Sequence, residues 1–455
     1  MRPWPLRARA MLALAVTVAI ASCAPLPPPR GAPVPPSRPR EHPAPGAARP
    51  AAPAPLRIDR EPRIDVGLAW DLDSLTLAPA AARMTWWVEG GRERGRSAVV
   101  QLRLSRPGPG FNLWSAGRLV AGPLATTDTL WLGDDAASGP DGAPSIRWHA
   151  KTWRGRAKVF VGPRGRLTLA VRIPLESYLA GVVPGEIGGL TEPQIQAGRA
   201  QAIAARSYTL YYRGRRGSEG FDLYASVEDQ VYGPIESERP LATQCVESTR
   251  GQFALFQDQP IRANYCSTCG GITAEVWEGW PAASLPYLRS QRDGGDHGDF
   301  CAGSPQYRWR EEWSAADFLK TIARYASAES VELPAPGMGD LVDVAVTSRS
   351  RSGRVWRMLV TTTTGEIEIP AYAIRRVLRR PGDGLQVLRS NLFKVAVRRD
   401  AGTRRASAVV ASGAGSGHGV GLCQTGSLGM ARDGFSGEKI LEHYYPGVTL
   451  KRLYR

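Results

Sequence analysis

The chain has 455 residues, 43% of them hydrophobic and 13 of them Trp, with a formal net charge of +16. That apolar content builds a substantial core, and the length suits two domains or one large domain with insertions. The basicity is nearly all arginine in a background rich in Ala, Gly and Pro, so it carries little weight as a sign of nucleic acid; the lack of zinc-finger spacing and of a glycine-rich phosphate loop argues against that partner, and an extracytoplasmic polyanion fits the charge better.

Residues 1–23 read as a leader. Arg2, Arg7 and Arg9 precede an apolar run from Met11 to Ile20 that is too short to cross a bilayer by itself. Ile20-Ala21-Ser22-Cys23 closes the run and resembles a bacterial lipobox, which predicts a lipid on Cys23 and an exported, membrane-anchored lipoprotein. An ordinary secretory leader with a chance cysteine is the other reading. Residues 24–62 are dominated by Pro, Ala and Arg, with almost no large apolar side chain, so they bury no core. As an extended tether at about 3.1 Å per residue they reach on the order of 100 Å.

Residues 63–150 alternate apolar and polar positions in short runs punctuated by Gly and Pro, such as Met84-Thr85-Trp86-Trp87-Val88 and Thr129-Leu130-Trp131-Leu132. This predicts an N-terminal antiparallel β module. Residues 151–455 follow as the main domain. It opens with a hairpin over 153–161 and 167–173 that turns at Gly162-Pro163-Arg164-Gly165. Glu186 comes next, in a loop flanked by Pro184 and Gly185, and Thr191 with Gln194 three residues on forms a capping box that starts a helix over 192–213. That helix carries Ala197, Gly198, Ala200, Ala202, Ala204 and Ala205, small residues that let a neighbouring element approach closely, so it belongs at the centre of the core.

Beyond it lie a polar run over 227–233, a helix over 240–248, strands over 252–256 and 261–265, and Cys266-Ser267-Thr268-Cys269-Gly270-Gly271. A segment over about 314–393 reads as an inserted α/β subdomain, and the C-terminal part holds Gly417-His418-Gly419 and two short helices parted at Gly434. The predicted fold class is α+β: a β-rich domain with a central small-residue helix, an inserted subdomain and the N-terminal β module.

The separated motifs LESYLAGVVPGEI, QAIAARSYTL, DQVYG, YCSTCGGITAEVW, SGRV at 352–355, LRSNLF at 388–393, GHGVGLCQTGSLGMA and ILEHYYPGVTL occur in this order. Together they resemble the stage II sporulation protein D and amidase enhancer family, over roughly residue 151 to the C-terminus. The resemblance implies a cell-wall protein. It further implies a lytic transglycosylase acting on peptidoglycan glycan strands stripped of their stem peptides, with Glu186 as the catalytic glutamate. One carboxylate suffices for that chemistry, because the 6-hydroxyl of the muramic acid is itself the nucleophile; hydrolases need two. Burial against Val182, Val183 and Ile187 would keep Glu186 protonated near neutral pH. The alternative within the same family is a non-catalytic wall-binding module that enhances a partner amidase, and a hydrolase is a third reading.

Other site residues are less sharply marked. Glu176 heads a short helix, where the helix dipole favours it as a structural charge. Asp229, Gln230 and Tyr232 form a polar cluster that either binds saccharide or shapes a turn. His418 and Gln424 line the cleft or belong to a tight glycine turn. Leu422, Cys423, Thr425 and Ser427 depart from the family's usual wording there, so the cleft shape is expected to differ. Arg206, with Arg199 on the same helix, is read as a bidentate partner for the lactyl carboxylates of denuded glycan, or as a structural arginine. With Cys23 lipidated, five cysteines remain, and a Cys269–Cys301 disulfide is the preferred reading. The competing one is a zinc site from Cys266, Cys269, His297 and Cys301, zinc being known in some of the family; the chemistry itself requires no cofactor.

Overall fold

The structure, a computed structural model, describes residues 56–455 except 81–82, 92, 106–107, 135–143 and 383–385. The expected leader, Cys23, and the tether up to residue 55 lie outside the described residues. Among the described residues no helix is long and apolar enough to cross a membrane.

The alternating runs form strands in two sheets. In spatial order the seven-stranded sheet is Leu223–Tyr224, Arg63–Leu72, Leu167–Pro174, Arg156–Val161, Thr129–Asp134, Met84–Val88 and Arg94–Ser97. The six-stranded sheet is Lys151–Arg154, Ser145–Trp148, Ser74–Pro79, Val100–Leu104, Phe111–Ser115 and Arg118–Leu124. Period-two alternation sends Met84, Trp86 and Val88 inward. Leu77, Leu102 and Phe111 of one sheet and Val66, Leu130 and Val159 of the other meet in a single core. Strands from before and after residue 150 interleave, since Leu130 lies opposite Val159 and Trp148 opposite Lys151. The hairpin at 162–165 is present, with Val161 opposite Leu167.

The helices are α1 (Leu175–Ile187), α2 (Ile195–Tyr212), α3 (Pro240–Ser248), α4 (Val276–Gly279), α5 (Ala315–Tyr325), α6 (Ala371–Val377), α7 (Gln424–Arg432) and α8 (Gly437–Tyr444). The α+β class is thus as the sequence predicts. The capping box opens a 3-10 turn, Glu192–Gln194, that runs straight into α2. The helix lies centrally, packed against α1, α3, α7 and α8, and its alanines are buried.

A second core is built by residues from Trp309 to Ala411, including Phe318, Met358, Ile367 and Ile374. It joins α5 and α6 to two three-stranded sheets. One is Arg308–Ser314, Ala406–Ala414 and Phe393–Arg399; the other is Leu341–Arg349, Val355–Thr362 and Gly365–Pro370.

Candidate active site

Glu186 lies in the last turn of α1 and not in a loop. Pro184 and Gly185 read as breakers, yet the helix carries Pro184 inside it and continues to Ile187. What the small residues of α1 do is admit a neighbour. A Cβ on Gly181 would stand 2.6 Å from the Tyr232 ring and 2.7 Å from the Gly233 carbonyl oxygen, and one on Gly185 would stand 2.8 Å from the Val231 carbonyl oxygen. These glycines are one turn apart and share a face, so the backbone of 231–233 lies directly on α1. That contact delivers the Val231 N–H to Glu186 Oε1 at 2.7 Å.

Two more donors converge on the same carboxyl. Gln424, the first residue of α7, offers Nε2 to Oε2 at 3.3 Å. The Tyr265 hydroxyl is the third. Its direction is set from behind: Gln230 Nε2 donates to the Tyr265 oxygen at 2.9 Å, which leaves the one phenolic hydrogen for Glu186. Gln230 is in turn fixed by Thr209 Oγ1 at 2.7 Å and the Tyr178 hydroxyl at 3.3 Å, both donating to its Oε1. Glu186 and Tyr265 are both half-buried. Burial outweighs the three donors and pushes the Glu186 carboxyl up from its ordinary 4.5 to about 7.

From Tyr265 an aromatic and cationic wall continues. His418 bonds to the Tyr265 carbonyl, its ring lies 4.6 Å from that of Trp280, and the Arg262 guanidinium lies over Trp280 at 5.0 Å and over Tyr212 at 5.7 Å. His418 takes the Val420 N–H on Nδ1 at 3.0 Å. Burial, reinforced by Arg375 and Arg354, pushes its imidazole down to about 3, so it stays neutral and takes no part as an acid.

Several expected contacts are corrected. Asp229, Gln230 and Tyr232 face inward. The Asp229 carboxylate is enclosed by Arg215 at 3.0 Å, Arg216 at 3.1 Å and the Tyr224 N–H at 2.9 Å. Tyr232 packs between Tyr178 and Trp153. Because this segment rides on the glycines of α1, it serves Glu186 through its backbone. Arg206 faces no substrate either: fully buried, it grips Glu176 with Nε and Nη2 at 2.9 and 2.6 Å and donates Nη1 to the Gln252 carbonyl at 3.0 Å. Burial alone would raise Glu176, but Arg206 and the Tyr454 hydroxyl hold its carboxyl below the ordinary range. Arg206 and Glu176 are thus structural.

The cysteines also differ from expectation. Cys269 and Cys301 are free thiols with sulfurs 3.8 Å apart, near twice a disulfide's length. His297 is exposed on the tip of a small hairpin and Cys266 stands outside the group of converging ligand atoms, so the expected zinc set does not fit. The atoms that do converge belong to Cys269, Asp293, Cys301 and Cys423. Two of these four, Asp293 and Cys423, sequence reasoning missed.

The motifs SGRV and LRSNLF return from the second core to this region. Arg354 Nη2 donates to the Cys269 and Ile272 carbonyls at 3.0 and 3.2 Å, and a Cβ on Gly419 would overlap its guanidinium. The Gly417 and Ala414 N–H groups donate to the Arg389 and Leu392 carbonyls, each at 2.8 Å, which fixes the turn that precedes His418.

The arrangement is a helix-borne glutamate braced by the backbone of an irregular segment packed on its own helix. Residues 163–256, from the hairpin turn through α1, α2 and α3, match the model of the Stage II sporulation protein family. A domain of unknown function matches residues 295–421. Stage II sporulation protein D of Bacillus subtilis (strain 168) is 27% identical over 296 residues, covering 61% of this chain and 74% of that protein. An uncharacterized protein of Brachyspira hyodysenteriae is 25% identical over 64% of this chain and 70% of its own length. Amidase enhancer of Bacillus subtilis (strain 168) is 28% identical over 60% of this chain, and the match spans 40% of the enhancer.

Proposed function

We propose that this protein is a lytic transglycosylase that cuts peptidoglycan glycan strands with Glu186 as acid and then base. The observation that carries the reading is the carboxyl of a half-buried glutamate, raised to about 7 by burial, with a backbone amide, an amide side chain and a phenol as its partners. Among the described residues no second carboxylate bonds to it, which favours chemistry that needs only one. A group with this proton affinity gives and takes a proton with comparable ease near neutral pH.

In the first step Glu186 passes its proton to the glycosidic oxygen as the bond from the muramic C1 to that oxygen breaks. In the second, the muramic 6-hydroxyl attacks C1 and returns its proton to Glu186, leaving a 1,6-anhydro end and the starting carboxylic acid. Between the steps the carboxylate is steadied by Val231 N–H, Gln424 and Tyr265. Arg262, over Trp280 and Tyr212, and not the buried Arg206, is the cation for the lactyl carboxylates of peptide-stripped strands, beside rings on which sugar faces stack. The work place is the cell envelope, with the chain held to the membrane by a lipid on Cys23.

The second reading is a wall-binding module that stimulates a partner amidase, supported by the similarity to Amidase enhancer. Digestion of denuded glycan by wild type and Glu186→Gln, with products read by mass spectrometry, separates the two. Anhydro ends from wild type alone are expected. Reducing ends instead would make it a hydrolase, and no products from either chain would leave the enhancer.

A further inference from the structure

We infer that Cys269, Cys301, Cys423 and Asp293 form a closed, tetrahedral, structural site for one zinc-like divalent ion directly behind Gln424. Their sulfur and carboxylate atoms all lie within 4.8 Å of one another, and all four residues are fully buried. Two sulfurs bound to one tetrahedral ion at about 2.3 Å stand about 3.8 Å apart. Cys269 and Cys301 stand 3.8 Å apart. The carboxylate edge is tighter: the Cys269 thiol donates to Asp293 Oδ2 at 2.9 Å, so an ion between them requires Asp293 to draw back by about 0.7 Å.

The surroundings are those of bound thiolates. Cys423 Sγ receives the Cys269 and Gly426 N–H groups at 3.2 and 3.3 Å, and Cys269 Sγ receives the Gly271 N–H at 3.4 Å. Hydrogen bonds of this kind stabilise negative sulfur. Asp293 turns its other oxygen to the Tyr444 hydroxyl at 2.7 Å and His443 Nε2 at 3.2 Å, an outer layer that orients a ligating carboxylate. Sulfur-rich donors favour zinc over magnesium or calcium, and four protein ligands leave no position open for catalysis. Binding releases the thiol protons.

Three of the four ligands come from the stretch from 266 to 307, which has only two-residue strands and one short helix to hold it, and the fourth, Cys423, comes from far along the chain. An ion there would tie this stretch to the start of α7. Cys423 caps that helix and Gln424, the next residue, reaches Glu186.

The test uses the full chain purified with reductant and without chelator. About one zinc per chain is expected by elemental analysis, falling at least tenfold in Cys269→Ser and Cys423→Ser and unchanged in His297→Ala. Should the serine variants fail to fold, the wild-type chain decides alone. Replacement by Co²⁺ should give thiolate-to-metal charge-transfer bands with tetrahedral ligand-field bands, and three thiols should resist alkylation until a chelator is added. Three results overturn the inference: substoichiometric metal after incubation with Zn²⁺, a Cys269–Cys301 disulfide in non-reducing peptide maps, or loss of metal in His297→Ala.

Discussion

Glu186→Gln should make the fold more stable, and only above the acid range. The Glu186 carboxyl is raised from 4.5 to about 7 by burial, so the folded state binds its proton more tightly than the unfolded chain does. That contribution to stability is fully present below 4.5, is lost as pH rises through about 7, and stays lost above. At about 1.36 kcal/mol per pH unit the gap amounts to roughly 3 kcal/mol, and the partial exposure of the side chain reduces it to about 2–3 kcal/mol. Glutamine fills the same space without ionising. Urea unfolding of both chains should therefore show a stability difference that widens by about 2–3 kcal/mol in favour of the variant between pH 4 and pH 8. Comparing the two chains at each pH cancels the other titrating groups. A difference that stays flat across this range would refute the burial of a protonated Glu186, and with it the acid step.

Three further outcomes follow from the same geometry. Gln424→Leu removes a donor to the charged form, so the alkaline limb of the pH–rate profile should move upward from about 7; the bond is long, and about 1 kcal/mol for it means a displacement of roughly half to one pH unit. Gly185→Ala should press the Val231 carbonyl off α1 and lengthen the Glu186 bond, lowering kcat at least about tenfold while the melting temperature, read by differential scanning fluorimetry, falls only a few degrees. Arg206→Ala strands the Glu176 carboxylate in the core and should cost about 3–5 kcal/mol in chemical denaturation, a loss in stability with no change in the pH profile of whatever enzyme folds.

The sequence told much about elements and less about which way side chains point. Strand alternation, the hairpin at 162–165 and the Thr191–Gln194 box depend on local rules, and the structure contains them. Glu186 was legible only through its motif, and its placement in a loop failed because Pro184 and Gly185 fit a helix end that a flat neighbour covers. The 229–232 segment is too short and too irregular for periodicity to separate inward from outward, so buried polar side chains looked like ligand contacts. The spacing of Gly181 and Gly185, four residues apart, was the available signal that a backbone packs there. Arg206 was misread because a buried ion pair between residues 30 apart leaves no local trace. Cys423 reaches the cluster from a strand end more than a hundred residues on, and Asp293-Gly294-Gly295 on its own reads only as a turn.

Arg354 gives the second core a consequence for shortening the chain. Its guanidinium occupies the space over Gly419 and satisfies the carbonyls of Cys269 and Ile272. Excising the inserted segment to obtain a minimal enzyme would therefore leave two buried acceptors without a donor and a hollow the size of an arginine head beside the cleft. A trimmed version should either have its boundaries drawn to keep the 352–355 turn, and Arg354 with it, or carry a replacement donor that fills the space over Gly419.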